Sequence, residues 1–146
     1  MILNEEPYYI SDKMIFLGQI PRQNDFEAKT THFSDESGQS DFVMDDSAIA
    51  VIQNNELIVI TGCSHSGICN IIEYAMKLTG IKDVRTVIGG FHLKENNLQT
   101  QQTINFLIKK GINKIYPSHC TELPALVAFY EDFNTEQLKT GMVLNF

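Results

Sequence analysis

Positive charge is scarce in this sequence. Lys and Arg total 11 against 18 Asp and Glu, giving a formal net charge of −7. A binder of nucleic acid or of an anionic membrane needs a basic face, and this balance argues against both. Long apolar runs are also missing: none approaches the ~20 residues that cross a bilayer. The N-terminal Met-Ile-Leu-Asn-Glu-Glu-Pro is acidic where a signal peptide is basic, and it lacks an h-region. Cysteines number only three, an odd count at no disulfide-like spacing, so a reduced, cytoplasmic protein is expected. There is no Gly-x-Gly-x-x-Gly, no P-loop and no Cys-x-x-Cys, which sets aside the readings those motifs carry.

What is present suits one α/β domain over residues 1–146. The chain has 146 residues, 43% of them hydrophobic. A chain of that size can bury about 68–70% of its unfolded surface. Lys13–Ile20 reads as a strand stopped by Pro21. Residues from about 22 to 46 are polar and acidic, with Asp25, Glu27, Asp35, Glu36, Asp41, Asp45 and Asp46. A stretch that long without regular structure is either an exposed surface loop or a lid or binding loop.

From Ser47 the signals sharpen. Ala48–Gln53 and Leu57–Thr61 are β-rich runs joined by Asn54-Asn55-Glu56, which predicts an antiparallel hairpin. Leu57-Ile58-Val59-Ile60 is apolar without alternation, as in a strand buried on both faces. Three strand–loop–helix units follow. The first runs from Leu57–Thr61 through Gly62-Cys63-Ser64-His65-Ser66-Gly67 into a helix striped with Ile68, Ile71, Ile72, Ala75 and Met76. The second runs from Arg85–Ile88 through Gly89-Gly90-Phe91-His92 into a helix over about Gln99–Lys110. The third runs from Lys114–Tyr116 through Pro117-Ser118-His119-Cys120-Thr121 into a helix to about Phe133, with Thr121 as its expected N-cap. Met142–Phe146 reads as a last strand.

His65, His92 and His119 stand 27 residues apart each time, each just past a strand and before a helix. Ligands of α/β sheets bind there, because the loops of neighbouring strands converge. Imidazole is the commonest metal-ligating side chain and a general acid or base near neutral pH. The placement suggests a zinc, manganese or iron site, although no Asp or Glu lies in the His65 or His92 loops. Asp45 and Asp46 could approach it. Cys63 and Cys120 flank two of these histidines. Packed thiols are favoured over metal ligands for them, and a Cys–His nucleophilic pair is a further alternative. Cys69 is expected in the core and His32 on the surface. Gly89-Gly90 gives room for a ligand or a tight turn, or lets a phosphate reach backbone amides. Arg22 reads as a surface arginine or as a clamp on an anionic group.

The segments Thr61–Ile68, Val87–Leu93 and Pro117–Thr121, in order, resemble the C-terminal half of metallo-β-lactamase-fold hydrolases. More narrowly they resemble the dihydropterin ribofuranosylaminobenzene 5′-phosphate synthase-like branch, of the methanopterin type. Phe16–Arg22, Asp45–Ala48 and Gly141–Phe146 fit the same branch. The resemblance implies an αβ/βα sandwich with a metal site at one edge, of which this chain would supply a mixed sheet. It implies metal ligation by His65 and His119. His92 would be a ligand, a support of the ligands or a proton carrier, because this branch has no aspartate near it. Glu122 stands where a glycine is expected and would alter the pocket rim. The family's His-x-His-x-Asp-His motif is absent from the sequence, so the chain is expected to start after it.

The resemblance therefore implies part of a metal-dependent hydrolase or transferase acting on a phosphate- or carbonyl-containing small molecule. Zinc is the expected metal, with manganese or iron as alternatives, and the fragment alone could be metal-free. A second chain would carry the missing half, or an uncovered sheet face would drive homo-oligomerisation. The alternative is a non-catalytic fragment or association module without metal.

Overall fold

The computed structural model describes residues 4–146. Six strands form one mixed sheet: β1 (Tyr8–Ser11), β2 (Met14–Phe16), β5 (Ala48–Gln53), β6 (Glu56–Thr61), β7 (Val84–Gly89) and β8 (Ile115–Pro117), in that spatial order. Strands β1, β2, β5 and β6 pair antiparallel, whereas β6, β7 and β8 run parallel. The expected hairpin forms in register, Ala48 facing Thr61 and Gln53 facing Glu56. The helices are α1 (Ile68–Thr79), α2 (Leu98–Lys109) and α3 (Leu123–Phe133). Each follows one parallel strand, so two crossovers advance β6 to β7 to β8 in one direction. Crossovers of one hand put α1 and α2 on one face.

The core lies between that face and the helices. Leu57, Val59 and Val87 are sealed against Ile68, Ile71, Ile72, Ile104, Leu107 and Phe129. The opposite face of the hairpin carries Ile49 opposite Ile60 and Val51 opposite Ile58. Ile60 is 39% exposed there, so the apolar run of β6 is only partly covered on this side. No helix among the described residues is long and apolar enough to cross a membrane.

The first strand expected from sequence is shorter than Lys13–Ile20. It stops at Phe16, because the chain then turns, with the Gly18 carbonyl accepting the Ser47 hydroxyl at 2.7 Å. Residues 22–46 also hold a small hairpin, β3 (Phe33–Ser34) with β4 (Ser40–Asp41). Its turn is tied by Asp35, whose Oδ1 accepts from Ser37 N and Gln39 N. Thr121 is not the cap of α3. That position is Glu122, with no side-chain cap, while the Thr121 hydroxyl accepts Phe91 N at 3.0 Å. Met142–Phe146 forms no strand. The chain leaves α3 along β8, bonds Leu138 N to Pro117 O at 2.7 Å, and then turns at Lys139–Met142.

The long polar segment is anchored to the start of α1. Gly67, at the N-cap, has no side chain to receive the first amides of the helix. Glu27 does this from 40 residues upstream: Oε1 accepts Cys69 N and Oε2 accepts Asn70 N, both at 2.9 Å. Asn70 returns the tie, its Oδ1 accepting Gln23 N and Asn24 N at 2.9 Å. Gly67 has φ +97, and a Cβ there would collide with the Glu27 carboxylate. Glycine is required by conformation and by space at once.

Candidate metal centre

The parallel strands end together, and their loops meet over β7. The β6–α1 loop is braced by Ser64, whose Oγ donates to Gly90 O at 2.6 Å. Asp46 Oδ2 accepts both Ser66 N, at 2.9 Å, and Ser66 Oγ. Asp46 therefore holds the His65 loop, and Asp45 stays exposed. In the middle loop Gly90 N donates to Gly62 O at 2.8 Å. A Cβ on Gly90 would collide with Cys120 Sγ and with the Gly62 carbonyl. The glycine lets loops from two non-adjacent strands touch across the strand between them. His92 follows at φ +50, a strained conformation for a non-glycine residue.

The three histidines separate into two neighbouring groups. His65 and His92 pack with ring centroids 4.3 Å apart, and Phe33 meets His65 edge-on at 5.3 Å. These rings border a cavity of about 300 Å³. Thr30, His32, Lys29 and Phe42 line it from the long segment, and Lys94, Glu95 and Asn97 from the β7–α2 loop. Burial first, then the nearby His65 and Lys94 charges, holds the His92 imidazole below its ordinary pKa.

His119 lies with the two thiols. Its Nε2 is 3.1 Å from Cys63 Sγ, and its Nδ1 shares a hydrogen bond with Ser118 Oγ at 2.9 Å. Cys120 Sγ donates to Cys63 O at 3.4 Å, and burial pushes its thiol up to about 11. The ligating atoms of Cys63, His119 and Cys120 all lie within 4.8 Å of one another. Among the described residues the three histidines do not close into such a group. An imidazole with two sulfur donors matches the donor chemistry of zinc. Two further imidazoles stand one loop away, so the residues present fit a divalent ion at this edge.

The other candidates resolve clearly. Cys69 is fully buried in α1. His32 is exposed on the cavity wall. Arg22 is half-buried, and its Nη2 donates to Phe42 O and, at 3.1 Å, to Val43 O, tying down the long segment. Glu122 N donates to Leu93 O at 2.9 Å, joining the α3 start to the β7–α2 loop. The sequence favoured packed thiols at Cys63 and Cys120; the structure brings both into one cluster with His119. The available signal was Gly89-Gly90 at the end of β7, the middle one of the three parallel strands, which permits a meeting that strand order alone forbids.

No protein-family model matches the chain. It is 34% identical over 154 residues to the 7,8-dihydropterin-6-methyl-4-(β-D-ribofuranosyl)-aminobenzene-5′-phosphate synthase of Methanocaldococcus jannaschii, covering 99% of this chain and 52% of the relative. An uncharacterized protein of the same organism is 38% identical over 123 residues, covering 84% of this chain and 45% of that protein. The solved structure of a metal-dependent hydrolase of the β-lactamase superfamily superposes with a TM-score of 0.81 at 25% identity, covering 100% of this chain and 58% of the other. The chain thus spans about half the length of the curated relatives it matches.

Proposed function

Because the chain belongs to the metallo-β-lactamase superfamily by fold and is homologous to the aminobenzene-phosphate synthase, we propose that it forms part of a metal-dependent hydrolase or transferase. The substrate is a phosphate- or carbonyl-containing small molecule. The carrying observation is the meeting of the three histidine loops at one sheet edge, with His65 and His92 rings 4.3 Å apart beside an open cavity.

His65 and His119 would hold the metal, with His92 as a further ligand or as the proton acceptor beside it. A bound zinc-class ion supplies a water whose pKa is lowered towards ~7. The chain's own residues do the rest. Lys29, Lys94 and His32 favour an anionic substrate group, and Phe33 and Phe42 give it apolar walls. In hydrolysis the water oxygen bonds to phosphorus or to the carbonyl carbon, and the bond to the leaving group breaks. In its acceptor role His92 takes the proton that water sheds and returns it to the departing group. The remaining half of the fold would come from a longer form of this chain or from a second polypeptide.

The test is turnover of chromogenic phosphoesters and carboxylic esters with zinc, manganese or iron. It is run on the chain alone and with the remaining half of the Methanocaldococcus jannaschii relative added. Metal-dependent turnover is expected, falling on the order of a hundredfold in His92→Ala. No metal-dependent turnover in either arm overturns the reading.

The exposed apolar edge and face, with Tyr9 at 58% and Ile60 at 39%, favour a second reading: a metal-free association module. That reading requires an oligomer by solution mass that is unchanged in His65→Ala and His119→Ala.

A further inference from the structure

We propose that Cys63, His119 and Cys120 form a soft-metal site of the zinc class within this chain, with a fourth position open to water or substrate. The proposal rests on the reading that a metal works at this sheet edge; it keeps His119 as a donor and sets the two thiols in the place of His65.

Geometry carries the argument. Donors sharing one tetrahedral zinc stand about 3.5–3.8 Å apart, given bonds of about 2.3 Å to sulfur and about 2.0 Å to nitrogen. Cys63 Sγ and His119 Nε2 stand at 3.1 Å, and all three donors lie within 4.8 Å. Shifts of tenths of an ångström to about one ångström would admit an ion.

His119 is oriented for ligation. Its Nδ1 is engaged by Ser118 Oγ at 2.9 Å, which leaves Nε2 for the thiols. With Nδ1–H donating to Ser118, Nε2 carries the lone pair, the usual support of a metal-bound imidazole. Gly90 keeps the gap between the two loops open, since a Cβ there would strike Cys120 Sγ. A packed thiol looks different in this molecule. Cys69 is sealed within a helix, whereas Cys63 and Cys120 are half-buried in loops beside an exposed imidazole. Three protein donors with one free position is the pattern of catalytic, not structural, zinc. Binding breaks two S–H bonds: the sulfurs keep the electron pairs for the ion, and two protons leave to solvent.

The experiment is a cobalt(II) titration of the full, reduced, metal-stripped chain, followed by its absorption spectrum. One equivalent is expected, with the intense near-ultraviolet band of sulfur-to-cobalt charge transfer. Cys63→Ser and Cys120→Ser should each weaken the band and loosen binding by more than the roughly ten- to a hundredfold that loss of an outer partner of a ligand costs, while His65→Ala and His92→Ala keep it. Zinc should also protect Cys63 and Cys120 of the unsubstituted chain from alkylation, which keeps the proposal testable if a serine variant fails to fold. Stoichiometric cobalt without the charge-transfer band, lost in His65→Ala, overturns this site and leaves the histidine reading standing. Absence of stoichiometric uptake with unprotected thiols overturns it as well. Turnover in the complemented enzyme reads the parent proposal separately.

Discussion

The parallel half of the sheet and the long polar segment before it are ordered by opposite means. From β6 to α3 the chain is held by buried aliphatic side chains, with Leu57, Val59, Ile71 and Leu107 at 0% exposure. Residues 22–46 contribute few such groups. They are held by Glu27, Asp46, Arg22 and Asn70 through charged or amide bonds to backbone. Apolar packing is non-directional and tolerates small shifts, whereas a buried carboxylate on two amides works at one geometry. The polar segment carries Phe33, His32 and Lys29 to the cavity, so precise polar ties position the wall beside His65.

Breaking the junction between these regions should cost the most. Gly67→Ala puts a Cβ into the Glu27 carboxylate at φ +97. Backbone strain and overpacking together should cost about 3–5 kcal/mol, read by urea unfolding. A cost below about 1 kcal/mol would mean that Glu27 moves freely and the anchor is not as tight as the contacts imply.

Glu27→Ala comes next. It leaves two buried amides of α1 without an acceptor, at about 2–4 kcal/mol. The same residue predicts a pH effect. Burial raises the Glu27 carboxyl above its ordinary value, against the amides of Cys69 and Asn70 and the Asn24 side chain, which lower it. A raised folded-state pKa means the folded form holds the proton more tightly than the unfolded form. This contribution to stability is therefore full below the ordinary glutamate range and is lost as pH rises through the raised value. The stability difference between the unsubstituted chain and Glu27→Gln, followed across that window, should shrink with rising pH. A flat difference would show that the carboxyl titrates normally.

The same contrast explains what the sequence disclosed. The three strand–loop–helix units were legible because buried strands are apolar runs and their helices carry stripes such as Ile68, Ile71, Ile72 and Ala75. The β3–β4 hairpin was not, since its two-residue strands depend on Asp35 and on Thr31, whose hydroxyl donates to Asp41 O at 2.6 Å. Nor was the Glu27 cap, because no local pattern joins a carboxylate to amides more than 40 residues later. At the site, strand-end placement pointed to His65, His92 and His119 at one edge. The partition between them was hidden, because it depends on a missing Cβ at Gly90 and on the path of two loops around it.

A gentler cut tests the anchor at its other end. Asp46→Ala removes the acceptor of Ser66 N and Ser66 Oγ and should cost about 1–2 kcal/mol. The His65–Phe33 contact should loosen with it, visible as a shift of the His65 ring resonances. Unchanged resonances would show that the β6–α1 loop is held by Ser64 and Gly90 alone.

The smallest stability effect is expected at Ser118→Ala, and it separates the two regions most cleanly. Ser118 is part of the packed half: its amide is bonded to Gly89 O at 2.9 Å whatever the side chain. Losing the hydroxyl should cost below about 0.5 kcal/mol, because a neighbouring imidazole as exposed as His119 can turn to water. The ring, however, loses the bond that fixes its orientation at 2.9 Å. Metal affinity should then fall roughly tenfold or more while the unfolding midpoint stays in place. Equal loss of affinity and of stability would make Ser118 a packing residue, and unchanged affinity would show that His119 is oriented by Cys63 without help.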